Sequence, residues 1–154
     1  MISRKLNLSN LPKPPYRVLV CDDLEMIRST LQPILCKYHE FQVVDEAVTG
    51  MESIAKAIQL QPDLVLMDVH LPGLDGAETT RQILLGSPGT RVLAYSSDAA
   101  WETAERMIAA GIRGYVVKGL DENEVIRAAR AVLAGRHYLS LVLLEPTDHK
   151  GVKA

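Results

Sequence analysis

The stretch LVLMDVHLPGLDG, residues 64–76, runs four apolar residues into a carboxylate, Asp68, and then into a Pro-Gly turn. A short apolar run bounded by turn residues reads as a strand buried on both faces. Such a strand holds Asp68 rigidly at its carboxyl end. The LPGLDG turn behind it re-aims the chain into a helix without covering the carboxylate.

Outward from this stretch the same pattern repeats. YRVLV (16–20), FQVVDEA (41–47), RVLAYS (91–96) and GYVVK (114–118) are strand-like, which makes five strands with DLVLMDV (63–69). Amphipathic segments separate them: Leu24, Ile27, Leu31 and Leu35 share one helical face, as do Ile54, Ala57 and Ile58, then Ile83 and Leu84, then Met107 and Ile108. Val125, Ala128, Ala129, Val132 and Leu133 form the last stripe. Asp75 with Glu78, and Asp121 with Glu124, have capping-box spacing, and Gly86, Gly111 and Gly135 stand as C-terminal stops. Pro33 falls inside the first helical pattern, where it removes a backbone hydrogen bond and bends or shortens the helix. Alternation of apolar strands with helices predicts a doubly wound α/β domain, its parallel sheet covered by helices on both faces.

Composition adds bounds. The 154 residues suit one domain, and a net charge of −2 with 47% hydrophobic and 23% charged residues gives no global field for nucleic acid or membrane. No apolar run approaches a membrane span or signal peptide, so a cytoplasmic location is expected. Cys21 and Cys36 lack metal-ligand spacing and read as interior residues. Residues 1–15, mildly basic through Arg4, Lys5 and Lys13 and ending in PKPP, read as a flexible, solvated arm.

In open α/β sheets, ligands bind beyond the carboxyl ends of the strands. Asp22 and Asp23 end the first strand, Asp68 the third, Ser96 the fourth and Lys118 the fifth. Any one of these aspartates could be a helix cap. Together they form a site: three carboxylates crowded at one edge need a cation, and clustered oxygen donors with room for water suit Mg²⁺. With the ammonium of Lys118 beside it, Asp68 can act as a nucleophile toward a phosphoryl group, and Ser96 can donate a hydrogen bond to that group.

VLVCDD, PDLVLMDVHLPGLDG, RVLAYSS and AGIRGYVVKG, in that order, resemble the receiver domain of bacterial two-component response regulators over roughly residues 16 to 135. The resemblance implies a flavodoxin-like, CheY-like five-stranded parallel sheet of order 2-1-3-4-5. It further implies that Asp68 is the phosphoacceptor of a histidine kinase or phosphotransfer protein. Asp22, Asp23, Asp68 and the backbone carbonyl of His70 would hold Mg²⁺, Lys118 would pair with the phosphoryl group, and Ser96 and Tyr115 would be the switch pair. His70 and Asp98, each two residues past a site residue, are expected to tune dephosphorylation. The protein is then a signalling phosphoacceptor, with phosphotransfer and autodephosphorylation as its own chemistry, and not an enzyme in the ordinary sense.

DENEVIRAARAVLAGRHYLS (121–140) is similar, more narrowly, to the NarL/FixJ (LuxR-type) subgroup, whose members carry a C-terminal helix-turn-helix domain. The resemblance implies a receiver over 16–138 and a tail or shortened linker over 139–154, with homodimerisation and transcriptional output on phosphorylation. DNA contact would need a helix-turn-helix that these residues do not contain. The alternative is a stand-alone receiver that relays phosphate or binds a protein target. Three positions depart from the common pattern: Gly119 where proline often follows the lysine, Leu71 where methionine is usual, and Ser97 in place of a small alanine. A haloacid-dehalogenase-type phosphatase would want a second aspartate where His70 stands, and a degenerate scaffold would not need all five site residues. Trp101 reads either as partly covered core or as a partner contact.

Overall fold

The computed structural model describes residues 12–119 and 121–144. Most of the expected N-terminal arm and residues 145–154 of the expected tail therefore lie outside the described residues. The chain runs β1 (Tyr16–Cys21), α1 (Glu25–Cys36), β2 (Phe41–Ala47), α2 (Gly50–Leu60), β3 (Leu64–Met67) and α3 (Gly76–Gly86). It continues through β4 (Arg91–Ser96), α4 (Trp101–Ala110), β5 (Gly114–Val117), α5 (Glu124–Leu133), β6 (Tyr138–Leu139) and α6 (Leu141–Leu144). All strand pairs are parallel, in the order β2-β1-β3-β4-β5-β6.

The strands' period of two builds two cores. Leu19, Cys21, Val65, Met67, Val92, Ala94 and Tyr115 face one side, where they meet Ala57 of α2, Ile83 of α3 and Met107 of α4. Val18, Val20, Leu64, Leu66, Leu93 and Val116 face the other, against Leu31 and Leu35 of α1 and the full α5 stripe from Val125 to Leu133. Each side of the sheet is thus sealed by helices, and the strand ends alone stay open to ligand. Register keeps those ends level: Cys21 lies beside Met67, Met67 beside Ala94, and Ser96 beside Val117.

The expected five-stranded sheet carries a sixth strand. β6 is only two residues long, too short to show any periodicity, and it is held by the edge of β5: Ser140 N–H donates to the Tyr115 carbonyl at 2.9 Å and Val117 N–H donates to Ser140 Oγ at 2.9 Å. Ser140 also donates to Glu124 of α5, and Leu143 is buried among the core side chains on the α4 side. The sheet therefore continues past residue 138. Ser140→Ala leaves the partly buried Val117 N–H without its acceptor and is expected to lower stability by about 1 kcal/mol, measurable by urea denaturation.

Other expectations resolve at the level of single residues. Asp75 caps α3 by accepting from Ala77 N–H at 2.8 Å, but Asp121 stops short of α5 and accepts from Asn123 N–H at 3.0 Å in the preceding turn. The reciprocal capping pair is on α2: Thr49 Oγ1 accepts from Glu52 N–H at 3.1 Å, and Glu52 accepts from Val48 N–H at 3.3 Å. Cys21 is buried, with burial pushing its thiol up to about 12, whereas Cys36 is exposed at the end of α1 and not interior. Pro33 sits inside α1, in the last turn, where few amide bonds remain to lose. Among the described residues no helix is long and apolar enough to cross a membrane.

Candidate functional site

β1 and β3 deliver their carboxylates side by side because they are neighbours in the sheet and end in register. Asp68 N–H donates to the Cys21 carbonyl at 2.9 Å, and Asp22 N–H to the Ala47 carbonyl at 3.0 Å, so both aspartates still have strand-fixed backbones. Asp22 is 1% exposed and Asp68 9%, while Asp23 points outward. Asp22, Asp23 and Asp68 bring carboxylate oxygens within 4.8 Å of one another. Three hard oxygen donors at one water-accessible edge fit a divalent cation such as Mg²⁺.

Lys118 arrives from β5, anchored by its N–H to the Ser96 carbonyl at 2.9 Å. Its Nζ donates to Asp22 at 2.8 Å and to Asp68 at 3.3 Å, and lies 5.4 Å from the centre of the Tyr95 ring. Burial opposes its charge, but the two carboxylates outweigh burial and hold its pKa above the usual lysine value. The ammonium therefore offsets part of the carboxylate crowding.

The loop after β3 turns sharply. His70 N–H donates back to Asp68 Oδ1 at 3.2 Å. A Cβ at Gly76 would stand 2.5 Å from the Val69 carbonyl oxygen, so this turn closes only around a residue without a side chain. Gly76 begins α3.

A second group of bonds covers the edge beside Ser96. Asp98 Oδ2 lies 2.7 Å from His70 Nε2 and accepts from Thr103 Oγ1 at 2.9 Å; Asp98 N–H reaches Ser96 Oγ at 3.3 Å. Burial would raise the Asp98 pKa, but bonds from Ala100 N–H, His70 and Thr103 bring it below the usual value. Tyr115 is fully buried, with its hydroxyl donating to the Asp98 carbonyl at 2.6 Å. Burial pushes that phenol up to about 12, so it remains a donor across the neutral range.

All eight residues singled out in the sequence thus meet at one end of the sheet: Asp22, Asp23, Asp68, Lys118, Ser96, Tyr115, His70 and Asp98. Two contributors went unnoticed. Thr103 lies five residues past Asp98, outside any capping spacing. Arg28 donates to the Asp22 carbonyl at 2.7 Å and pairs with Glu46 at 3.1 Å, but in sequence it is just another polar position on α1. Trp101, at the start of α4, is 40% exposed, midway between its two readings.

A doubly wound parallel sheet with an acidic cluster and a bridging lysine at its carboxyl edge defines the CheY-like receiver fold. The chain belongs to the response regulator receiver domain family, which matches it over residues 18–130. Response regulator GacA of Pseudomonas protegens is 40% identical over 124 residues, 80% of this chain and 58% of that protein. Response regulator protein VraR of Staphylococcus aureus is 35% identical over 119 residues, 77% of this chain and 57% of that protein. Both are NarL/FixJ-type regulators, and this chain spans somewhat over half their length. The crystal structure of a LuxR-family two-component response regulator from Aurantimonas sp. SI85-9A1 superposes with a TM-score of 0.81 at 29% identity, covering 90% of this chain and 99% of that one.

Proposed function

We propose that this receiver domain accepts a phosphoryl group on Asp68 and passes the change in charge to the loop that carries Ser96 and Asp98. The observation that carries this reading is the pairing of one lysine with two carboxylates at the strand ends, Nζ at 2.8 Å from Asp22 and 3.3 Å from Asp68, beside a third carboxylate. In the transfer, an Asp68 oxygen attacks phosphorus and forms the new O–P bond. The bond from phosphorus to the donor atom breaks, and the donor leaves with its electron pair.

Asp22, Asp23, Asp68 and the backbone carbonyl of His70 would hold Mg²⁺, which when bound supplies charge neutralisation for the phosphoryl oxygens. Lys118 keeps its proton and donates to the transferred group; Ser96 turns its hydroxyl to the same group. Ser96 Oγ at present holds Asp98 N–H, and the Asp98 carbonyl holds the Tyr115 hydroxyl, so a moving Ser96 disturbs a bond chain that ends on a buried aromatic. One added covalent charge then biases a two-state element. The donor is a sensor histidine kinase or a phosphotransfer protein. Output is association of phosphorylated copies, serving transcription through a DNA-binding segment such as those of LuxR-type regulators.

Intact-mass analysis with a small-molecule phosphodonor tests the reading. With Mg²⁺ the protein is expected to gain one phosphoryl group, and with a chelator none. Absence of any gain under conditions that label another receiver domain would overturn it.

In this reading His70 and Asp98, in contact at 2.7 Å, border the route of the water that attacks a phosphorylated Asp68. Exchanging both for alanine is expected to change the phosphoryl half-life by about tenfold, less than the roughly hundredfold lower end of a full general acid–base contribution because neither residue is assigned the proton transfer. Timing the loss of label by mass checks this, and an unchanged half-life removes both residues from the chemistry.

A further inference from the structure

At the end of the sheet opposite the carboxylates, the amino ends of β4 and β5 and the turn before β6 enclose a cavity of about 590 Å³. Arg91, Arg113 and His137 line it together with Leu84, Ile108 and Ile112. Among the described residues no carboxylate lines the cavity, and neither arginine nor His137 takes part in an ion pair. By contrast, Arg28, Arg81, Arg106, Arg127 and Arg130 each pair with an acidic side chain. A recess of about 180 Å³, walled by apolar surface, shares Ile108, Ile112, Arg113 and His137 with the cavity and adds Leu139.

Arg91, Arg113 and His137 line this cavity together, with no ion-pair partner among the described residues, and Ile108 of α4, 41% exposed, lines it beside them. Arginine presents a planar fork suited to carboxylate or phosphate oxygens. A concave volume within the range of small-molecule sites, with an apolar floor and a few convergent polar groups, suits a small ligand better than a flat protein surface.

We propose that this cavity binds an amphipathic organic anion. Its carboxylate or phosphate lies against Arg91, Arg113 and His137, and an apolar body of single-ring or short-acyl size lies against Ile108, Ile112 and Leu139. The site is separate from the acidic edge, because it is built from the opposite ends of the strands.

The test is an NMR titration of the ¹⁵N-labelled full chain in EDTA, so that no divalent ion draws anions to Asp68. Phenyl phosphate and octanoate are the probes, and inorganic phosphate and benzyl alcohol the controls. Both probes are expected to shift the Gly89, Gly111 and Arg113 amides with dissociation constants below about 1 mM, about tenfold tighter than either control. The tighter of the two assigns the head group as phosphate or carboxylate. Arg91→Gln with Arg113→Gln is expected to weaken binding by about tenfold or more. Arg113→Gln and Ile108→Asn, both at exposed positions, repeat the test singly should the double variant unfold. Absence of saturable shifts, unchanged affinity in folded variants, or inorganic phosphate matching the probes (an adventitious ion only) would overturn the proposal.

Discussion

Asp68→Ala is expected to gain no phosphoryl group from a small-molecule donor under conditions in which the parent gains one. The residue's position explains the size of the effect. Asp68 is the one carboxylate of the cluster that is both fixed by a strand-end backbone bond and 9% exposed, whereas Asp22 is sealed at 1% and Asp23 stands outward on the loop. A nucleophile must be accessible and held still, and only Asp68 meets both conditions. The variant should also fold. Lys118 keeps its shorter contact, 2.8 Å to Asp22, and removing one of two neighbouring carboxylates relieves repulsion as it removes attraction. Its stability is expected to stay within about 1 kcal/mol of the parent, which thermal denaturation monitored by circular dichroism would show. Loss of label in a folded variant isolates the chemistry from the scaffold. Label that persists would move the acceptor to another carboxylate, with exposed Asp23 the first to replace.

The sequence made the central strands legible because they are buried on both faces, so apolar runs and turn residues mark their boundaries. Their ends were legible for the same reason, and in a parallel sheet five ends on one edge are five neighbours in space. Asp22, Asp68 and Lys118 therefore emerged together although 96 residues separate the lysine from Asp22. Elements carried by tertiary contact left no such trace. β6 exists through backbone bonds to β5 and the buried Leu143, and a two-residue strand has no period to read. Cys36 is exposed because it follows the buried Leu35 by one residue, about 100° around α1 from the face that packs on the sheet. Thr103 is bonded to Asp98 only because the turn after β4 folds the chain back on itself. The cationic cavity was invisible because Arg91, Arg113 and His137 come from three connections that look unrelated in the chain.

Lys118→Ala is expected to lower stability by about 3 kcal/mol near neutral pH, the lower end of the cost of leaving a buried charge without its partner. The lower end applies because the site opens to water beside Asp23. Lys118 is 13% exposed in its side chain, and its two acceptors are 2% and 11% exposed, so the ammonium is the nearest source of compensation for both carboxylates. Its raised pKa fixes the pH dependence of the parent. A lysine that gains partners on folding contributes stability that is fully present below the unfolded value near 10.5 and is lost as the pH rises through the folded value. The parent should therefore keep this contribution through the neutral range. In the variant, the two carboxylates that the ammonium bridged lose their nearest opposite charge. Urea denaturation of parent and variant near neutral pH measures this, with Lys118→Ala combined with Asp68→Asn as the decisive third protein. Removing the second carboxylate should return most of the lost stability at neutral pH. A double variant as unstable as the single one would mean that the lysine acts through packing against Tyr95 and not through the charges it bridges.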